Sequence, residues 1–452
     1  MKKKLLILLM LIICLFSFFA CGENFDFGPL EGGPKENDAI VANFGTCVQK
    51  GDYIYMINGL SEFSEDNNFG AAIKGAIYRL KVDTNGEIKE SLRMAPKAFY
   101  CREQGSGLFL HGNKLFYMSS SMQKDKDGGR LMTYYDVFSV NLDGTGTKRL
   151  GTFEDMTKIK FFVEDSKVYV VFELKEKVYL LSEEGRISTL ITEYTSVIVG
   201  DDNCIYYTKE VKRDTDSKIS GIEDYNMVYK KPILGNEEEV KLGTENLSQS
   251  LYSVQLQEFK DGVLYYSKNI KAGSNPLNLF FAYRNGAEIQ LTSSEQTNPY
   301  FLGFDGNKYL GTLFLKDNNI LLIEATESGV PGGFYFIAGG VSGQPTYLFM
   351  DKSANELYFS LNNKLYKVKV LDGSNNPAES KTEQLLDVNI NIEKLFPKKL
   401  GNFVYYVGSG DKDYYTNYLF RMDLRKPKDQ EPVRLGELSK ADQELKEKDE
   451  KK

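Results

Sequence analysis

Short apolar runs, each entered through a Gly, Asn or Asp turn, recur along this chain from about residue 50 to residue 420. The first copies read Gly51-Asp52-Tyr53-Ile54-Tyr55, Gly112-Asn113-Lys114-Leu115-Phe116-Tyr117 and Asp165-Ser166-Lys167-Val168-Tyr169. Asp202-Asn203-Cys204-Ile205-Tyr206-Tyr207 and Asp261-Gly262-Val263-Leu264-Tyr265-Tyr266 continue the series, followed by a worn copy at Asp305-Gly306-Asn307-Lys308-Tyr309. Asn355-Glu356-Leu357-Tyr358-Phe359 and Gly401-Asn402-Phe403-Val404-Tyr405-Tyr406 complete it. A second run follows each first one, as in Ile77-Tyr78-Arg79-Leu80, Val228-Tyr229-Lys230-Lys231 and Leu419-Phe420-Arg421-Met422. Tight turns such as Asp83-Thr84-Asn85-Gly86 and Asp143-Gly144-Thr145-Gly146 come next, then a short polar-aliphatic run such as Ile187 to Leu190. Runs of four to eight β-branched and aromatic residues bounded by such turns are strands and hairpins. Leu365 to Val370 alternates apolar and polar residues, the period of one buried face, whereas Val168 to Phe172 is apolar throughout and suits burial on both.

The mean step from Tyr78 to Phe420 is about 49 residues, with about four strands in each unit. That period predicts an all-β chain folded as a single β-propeller of eight four-stranded blades. Seven blades is the alternative if the worn sixth copy merges with a neighbour. Each blade has two apolar faces, and a ring buries both. The expected layout is a signal segment over residues 1–20, a flexible tether over 21–38, the propeller over 39–437 and a charged tail over 438–452. Gly28-Pro29 and Gly32-Gly33-Pro34 give the tether its character, and the Lys/Glu-rich tail reads as disordered or as a frayed helix.

The N-terminus adds location. Lys2, Lys3 and Lys4 precede a nearly unbroken apolar stretch from Leu5 to Phe19, and Ala20 stands before Cys21. This order describes a secretory signal, and the stretch is shorter than the roughly 20 residues a spanning helix needs. On Phe18-Phe19-Ala20-Cys21 it resembles a bacterial lipoprotein signal with its lipobox, although Phe18 and Phe19 depart from the usual Leu and small residue. An ordinary cleaved signal or an uncleaved anchor are the other readings. The resemblance implies lipid attachment at Cys21 and a protein held outside the cytoplasmic membrane. The Gly-Asp/Asn-x-Ile/Leu-Tyr-Tyr turns, Tyr-Arg strands and Asp-Gly turns over about residues 40 to 437 resemble low-density-lipoprotein-receptor-like propeller domains of bacterial lipoproteins. That likeness implies a fold and names no active site.

Charge and chemistry narrow the function. The chain carries a formal −7, and losing the three signal lysines takes it to about −10, which disfavours nucleic acid and anionic headgroups alike. Beyond Cys14 and Cys21 there remain Cys47, Cys101 and Cys204, with no metal spacing. Cys47 and Cys101 can pair or stay as buried thiols. His111 is the one histidine, so a histidine metal centre is excluded, and no Gly-x-Ser-x-Gly elbow accompanies it. Asp125-Lys126-Asp127-Gly128 lacks the later acidic ligand of a calcium loop. Gly332-Gly333 and Gly339-Gly340 read as turns around a strand rather than a phosphate cradle.

No catalytic residue, metal or cofactor is therefore expected. The chain is read as a monomeric, non-enzymatic binding or scaffold module for a protein or envelope polymer. The alternative is a carbohydrate-active enzyme with two carboxylates at the propeller channel. Long insertions at Asn58 to Gly75, Met118 to Thr133, Lys209 to Asn226 and Asn269 to Asn278 would cluster on one face, with Tyr134, Tyr135 and Tyr225 as candidate contacts.

Overall fold

The computed structural model describes residues 29–34, 45–59, 75–95, 107–121, 126–127, 133–211, 225–235, 237–243, 250–260, 262–272, 275–291, 300–304, 312–316, 319–325, 331–338, 346–351, 356–361, 364–369, 382–386, 398–408, 412–415, 417–425 and 432–451. The signal segment, Cys21 and Cys101 lie outside them. So do most of the two longest insertions.

The described residues form eight four-stranded sheets, and within each the strands pair antiparallel in sequence order. Sheets 1 to 8 span residues 47–95, 109–154, 157–191, 196–242, 250–290, 300–338, 346–386 and 398–434. The turn-led runs of the sequence are the second strands and the runs that follow are the third. The sixth copy is shifted: its second strand is Thr312–Lys316, so Tyr309 falls outside both the strand and the described residues. Gly332 and Gly333 lie inside the strand Pro331–Ala338 rather than in a turn before it. The expected insertion from Asn269 to Asn278 is also corrected. Val263–Ala272 and Asn275–Arg284 stay paired out to Ala272 and Asn275, because Ile270 and Leu277 extend the β pattern instead of ending it.

Neighbouring sheets bury their faces against each other. Tyr55 and Ile77 of sheet 1 share a cluster with Leu115 and Val140 of sheet 2. Phe116 and Val137 of sheet 2 meet Phe161 and Val170 of sheet 3. Val171 and Val178 meet Val197 and Tyr207 of sheet 4, and Tyr206 and Val228 meet Leu264 and Tyr266 of sheet 5. Tyr358 and Leu365 of sheet 7 pack on Tyr406 and Phe420 of sheet 8. Sheet 8 then packs on sheet 1, through Tyr405, Val407 and Leu419 against Ile54, Met56 and Tyr78. Alternation makes this possible: successive side chains of a strand serve opposite neighbours.

Among the described residues no sheet mixes strands from the two ends of the chain, and the contact between sheets 8 and 1 rests on side chains and turns. Asn58 donates to the Glu437 carbonyl at 2.7 Å, and the Tyr78 hydroxyl to the Glu437 carboxylate at 3.1 Å. Arg421 of sheet 8 donates to the Gly86 carbonyl in the turn between the third and fourth strands of sheet 1. Gly86 must be glycine there, with φ at +80° and Phe403 only 2.3 Å from where a Cβ would sit.

The two flanks are more ordered than their composition suggests. Within the expected tether, Leu30 packs on the sheet 1–sheet 2 cluster, and Glu31 and Gly32 accept hydrogen bonds from Arg79. In the tail, α1 (Lys440–Asp449) is N-capped by Ser439, which receives the Asp442 amide at 3.2 Å. The Tyr418 hydroxyl donates to Asp442, and Leu438 is buried beside it.

Candidate functional site

The first strands of sheets 4 and 5, of sheets 8 and 1, and of sheets 6 and 7 approach one another. On the fourth strands, at the opposite edge of each sheet, Ile187, Val240 and Val433 stand about half exposed. Between the first strands of sheets 3, 4 and 5 lies a slot of about 310 Å³. Thr157–Glu164, Ser196–Val199 and the end of Ser250–Lys260 build it, with Val171, Phe172, Glu173 and Val178 closing one side.

Its walls are apolar over Val171, Val178, Val197 and Phe259. Lys160 breaks that surface. Its strand alternates so that Ile159 and Phe161 turn into the packed face, leaving Lys160 on the slot side, and its ammonium donates to the Val199 carbonyl. Burial lowers the Lys160 pKa, and the carboxylates of Asp201, Asp202 and Glu258 offset part of that shift. Among the described residues no carboxylate forms an ion pair with it. Lys158 lies at the other end, held at a positive φ of 48° and paired with Glu173 at 2.8 Å. Tyr194 stands beneath the Lys158 ammonium, and burial with Glu173 raises its pKa. The slot thus offers one desolvated N–H donor, the Gln257 amide, two carboxylates and a long apolar wall. An extended chain bearing an apolar side group and backbone carbonyls matches that donor set.

The sequence-predicted residues lie elsewhere. Tyr135 is buried in the cluster between sheets 2 and 3, paired across the strands with Phe153. Tyr134 is half-buried at the start of its strand, opposite Glu154. The Tyr225 backbone pairs with Val211, and its side chain lies outside the described residues. His111 ends the first strand of sheet 2, opposite Lys114. Lys126 and Asp127 sit in an exposed turn, and among the described residues no group of three or more His, Cys, Asp or Glu gathers. Cys47 is buried at the contact of sheets 1 and 8, and burial beside Asp202 pushes the Cys204 thiol up to about 11. Sequence reasoning missed the slot because it assigned the second and third strands and left the first strands, which build it, unread. The one available signal was a lysine set inside the apolar run Ile159-Lys160-Phe161-Phe162.

No family model and no curated protein matches the chain. Similar solved structures include the β-propeller domain of the Trilobed protease from Pyrococcus furiosus, at 12% identity and a TM-score of 0.41, covering 79% of this chain and 100% of that one. A prolyl endopeptidase is similar at 11% identity and a TM-score of 0.43, over 84% of this chain and 54% of that one. The acylaminoacyl peptidase of Pyrococcus horikoshii follows at 12% and 0.42, over 77% and 56%. The chain spans about half the length of the last two. These structural neighbours are β-propeller domains and proteins with enzymatic activity. The expectation of a non-enzyme is corrected accordingly: chains of similar fold include a prolyl endopeptidase and an acylaminoacyl peptidase, so the repeat architecture does not exclude catalysis. At these identities and scores, neither activity passes to this chain. Among the described residues no helix is long and apolar enough to cross a membrane.

Proposed function

We propose that the eight sheets are the blades of one closed β-propeller, tethered outside the cytoplasmic membrane by lipid on Cys21, that binds an extended protein segment in the slot between blades 3, 4 and 5. What supports the ring is the packing of sheet 8 on sheet 1. The observation that carries the binding reading is Lys160, a partly desolvated donor in an otherwise apolar wall between converging first strands. A glycan would call for more polar groups than this wall has, whereas a peptide supplies carbonyls for Lys160 and Gln257 and an apolar side chain for Val197 and Phe259. Tyr134 and Tyr225 remain candidates for an outer contact on the face of the long connections.

A panel of extended peptides and of glycan oligomers, titrated onto the full chain, tests the reading. Peptide binding that is lost in Val197→Trp, which fills the slot, supports it. Binding of glycans alone, with turnover removed by Glu258→Gln, would replace it with a carbohydrate-active enzyme. Metabolic lipid labelling abolished by Cys21→Ser supports the anchor, and unchanged labelling refutes it.

A further inference from the structure

The third strand of sheet 8 carries Arg421 opposite Tyr405, and the third strand of sheet 1 carries Arg79 opposite Tyr55. The two arginines hold equivalent places in the repeat, each over an equivalent ring, Phe403 at 4.5 Å and Tyr53 at 5.1 Å. Their partners differ. Arg421 reaches the turn between the third and fourth strands of the next sheet directly, at Gly86. Arg79 does not reach the matching turn of sheet 2. Residues 29–34 lie between them as a strap.

Each strap contact is specific. Arg79 donates to the Glu31 carbonyl at 2.6 Å and the Gly32 carbonyl at 2.9 Å, with Glu90 at 3.1 Å as its countercharge. The Leu30 amide donates to the Asp143 carbonyl, in the sheet 2 turn, at 2.8 Å. Gly32 has φ at +67°, and the Tyr53 hydroxyl lies 3.1 Å from where its Cβ would be. The Arg79 side chain is fully buried, so the strap supplies hydrogen bonds that a buried guanidinium requires.

Resting on the lipid anchor at Cys21, we infer that the strap sets which face of the molecule looks at the membrane. Leu30 meets the turn at Asp143, on the face where first strands turn into second and third into fourth. The chain then passes inward to Arg79 and enters the first strand at Cys47, whose far end, Lys50, leads back to that same face. Pro29, the first described residue, therefore stands at the short-turn face. A coil of eight residues, the separation of Cys21 from Pro29, spans about 16 Å on average. The two faces are one strand apart, about 20 Å for the six residues of Lys177–Ser182. The short-turn face is thus the lipid-facing one, and the face of the long connections and of Lys158, Glu173 and Tyr194 points away.

The mature lipidated chain in zwitterionic vesicles with acceptor-labelled headgroups provides the test. Donor dyes are placed by Glu184→Cys, on the short-turn face, or Lys175→Cys, on the opposite face of the same sheet, in a chain carrying Cys101→Ser and Cys204→Ser. Energy transfer about twofold or more stronger from position 184 than from 175 is expected for a height difference of one strand. Arg79→Ala should equalise the two while the protein stays on the vesicles. A 20-residue Gly/Ser insertion after Glu23, which leaves the fold untouched, should do the same. Equal or reversed transfer in the parent chain overturns the orientation and leaves the anchor standing. A chain that does not stay on the vesicles overturns both.

Discussion

Among the described residues, one position of the repeat puts a cation on the third strand opposite a tyrosine on the second in four sheets: Arg79 with Tyr55, Lys230 with Tyr206, Lys367 with Tyr358 and Arg421 with Tyr405. Each cation is satisfied differently. Lys230 and Lys367 use a carboxylate of their own sheet, Asp202 at 2.9 Å and Glu356 at 2.8 Å, while the two arginines reach carbonyls beyond it. Arg79 is the most buried of them, so Arg79→Ala is expected to destabilise by about 3 kcal/mol in urea melts, since strap carbonyls and Glu90 lose their partner together. Arg79→Lys should recover little, because a single ammonium cannot serve two carbonyls and a carboxylate in that fork geometry. Asp202 gives a pH signature. Burial alone would raise its pKa, but Lys230 and the Tyr206 hydroxyl outweigh burial and hold it below the usual 3.8. The folded value lies under the unfolded one, so its stabilisation is complete above about pH 4 and disappears as pH falls through the folded value. Melts between pH 2.5 and 6 should show that loss, and Asp202→Asn should flatten it. Lys160 acts in the same sense over another range: its folded pKa is also depressed, so stability on its account rises with pH in the alkaline range. Lys160→Met should leave the fold unchanged or about 1 kcal/mol more stable and abolish peptide binding, as calorimetry with the same peptide can check.

At the scale of elements, the short turns decide the packing of neighbours. Gly86 must take a positive φ and admit Phe403, so Gly86→Ala should cost about 2 kcal/mol and loosen the contact of sheets 8 and 1 specifically. Amide exchange would register this as faster opening of Ile77–Val82 and Tyr418–Asp423, with sheet 3 unaffected. The strap is the second such element. Removing residues 21–34 uncovers Leu30's site on the sheet 1–sheet 2 cluster and leaves Arg79 with Glu90 alone. Melting temperature should fall as it does in Arg79→Ala, and the two changes combined should be far from additive because they break one network.

For the whole molecule, the sheet 8–sheet 1 contact is the seam. Deleting residues 398–452 exposes at once the faces that sheets 7 and 1 bury against sheet 8. The expected outcome is loss of a single cooperative unfolding transition and aggregation on expression, checked by calorimetry and light scattering. A chain that melted as one unit without sheet 8 would mean that the seam contributes nothing to cohesion.

Much of this was legible in the residues themselves. Turn-led apolar runs placed the second and third strands of nearly every sheet, since a glycine or asparagine with positive φ followed by β-branched and aromatic residues has few alternatives. The exception is sheet 6, where the worn motif misplaced the strand. First strands such as Thr157–Glu164 escaped, for they follow variable connections without a turn signature. Composition misjudged residues 29–34 for a related reason: Pro29 to Pro34 has the local character of a linker, and it is held by groups distant in sequence, the buried guanidinium of Arg79 and the turn at Asp143. Local pattern determined the second and third strands and the turns that lead into them. The tertiary structure alone decided which faces meet, that sheet 8 packs on sheet 1, and that Lys160 stands over a slot, because each depends on side chains brought together across tens or hundreds of residues.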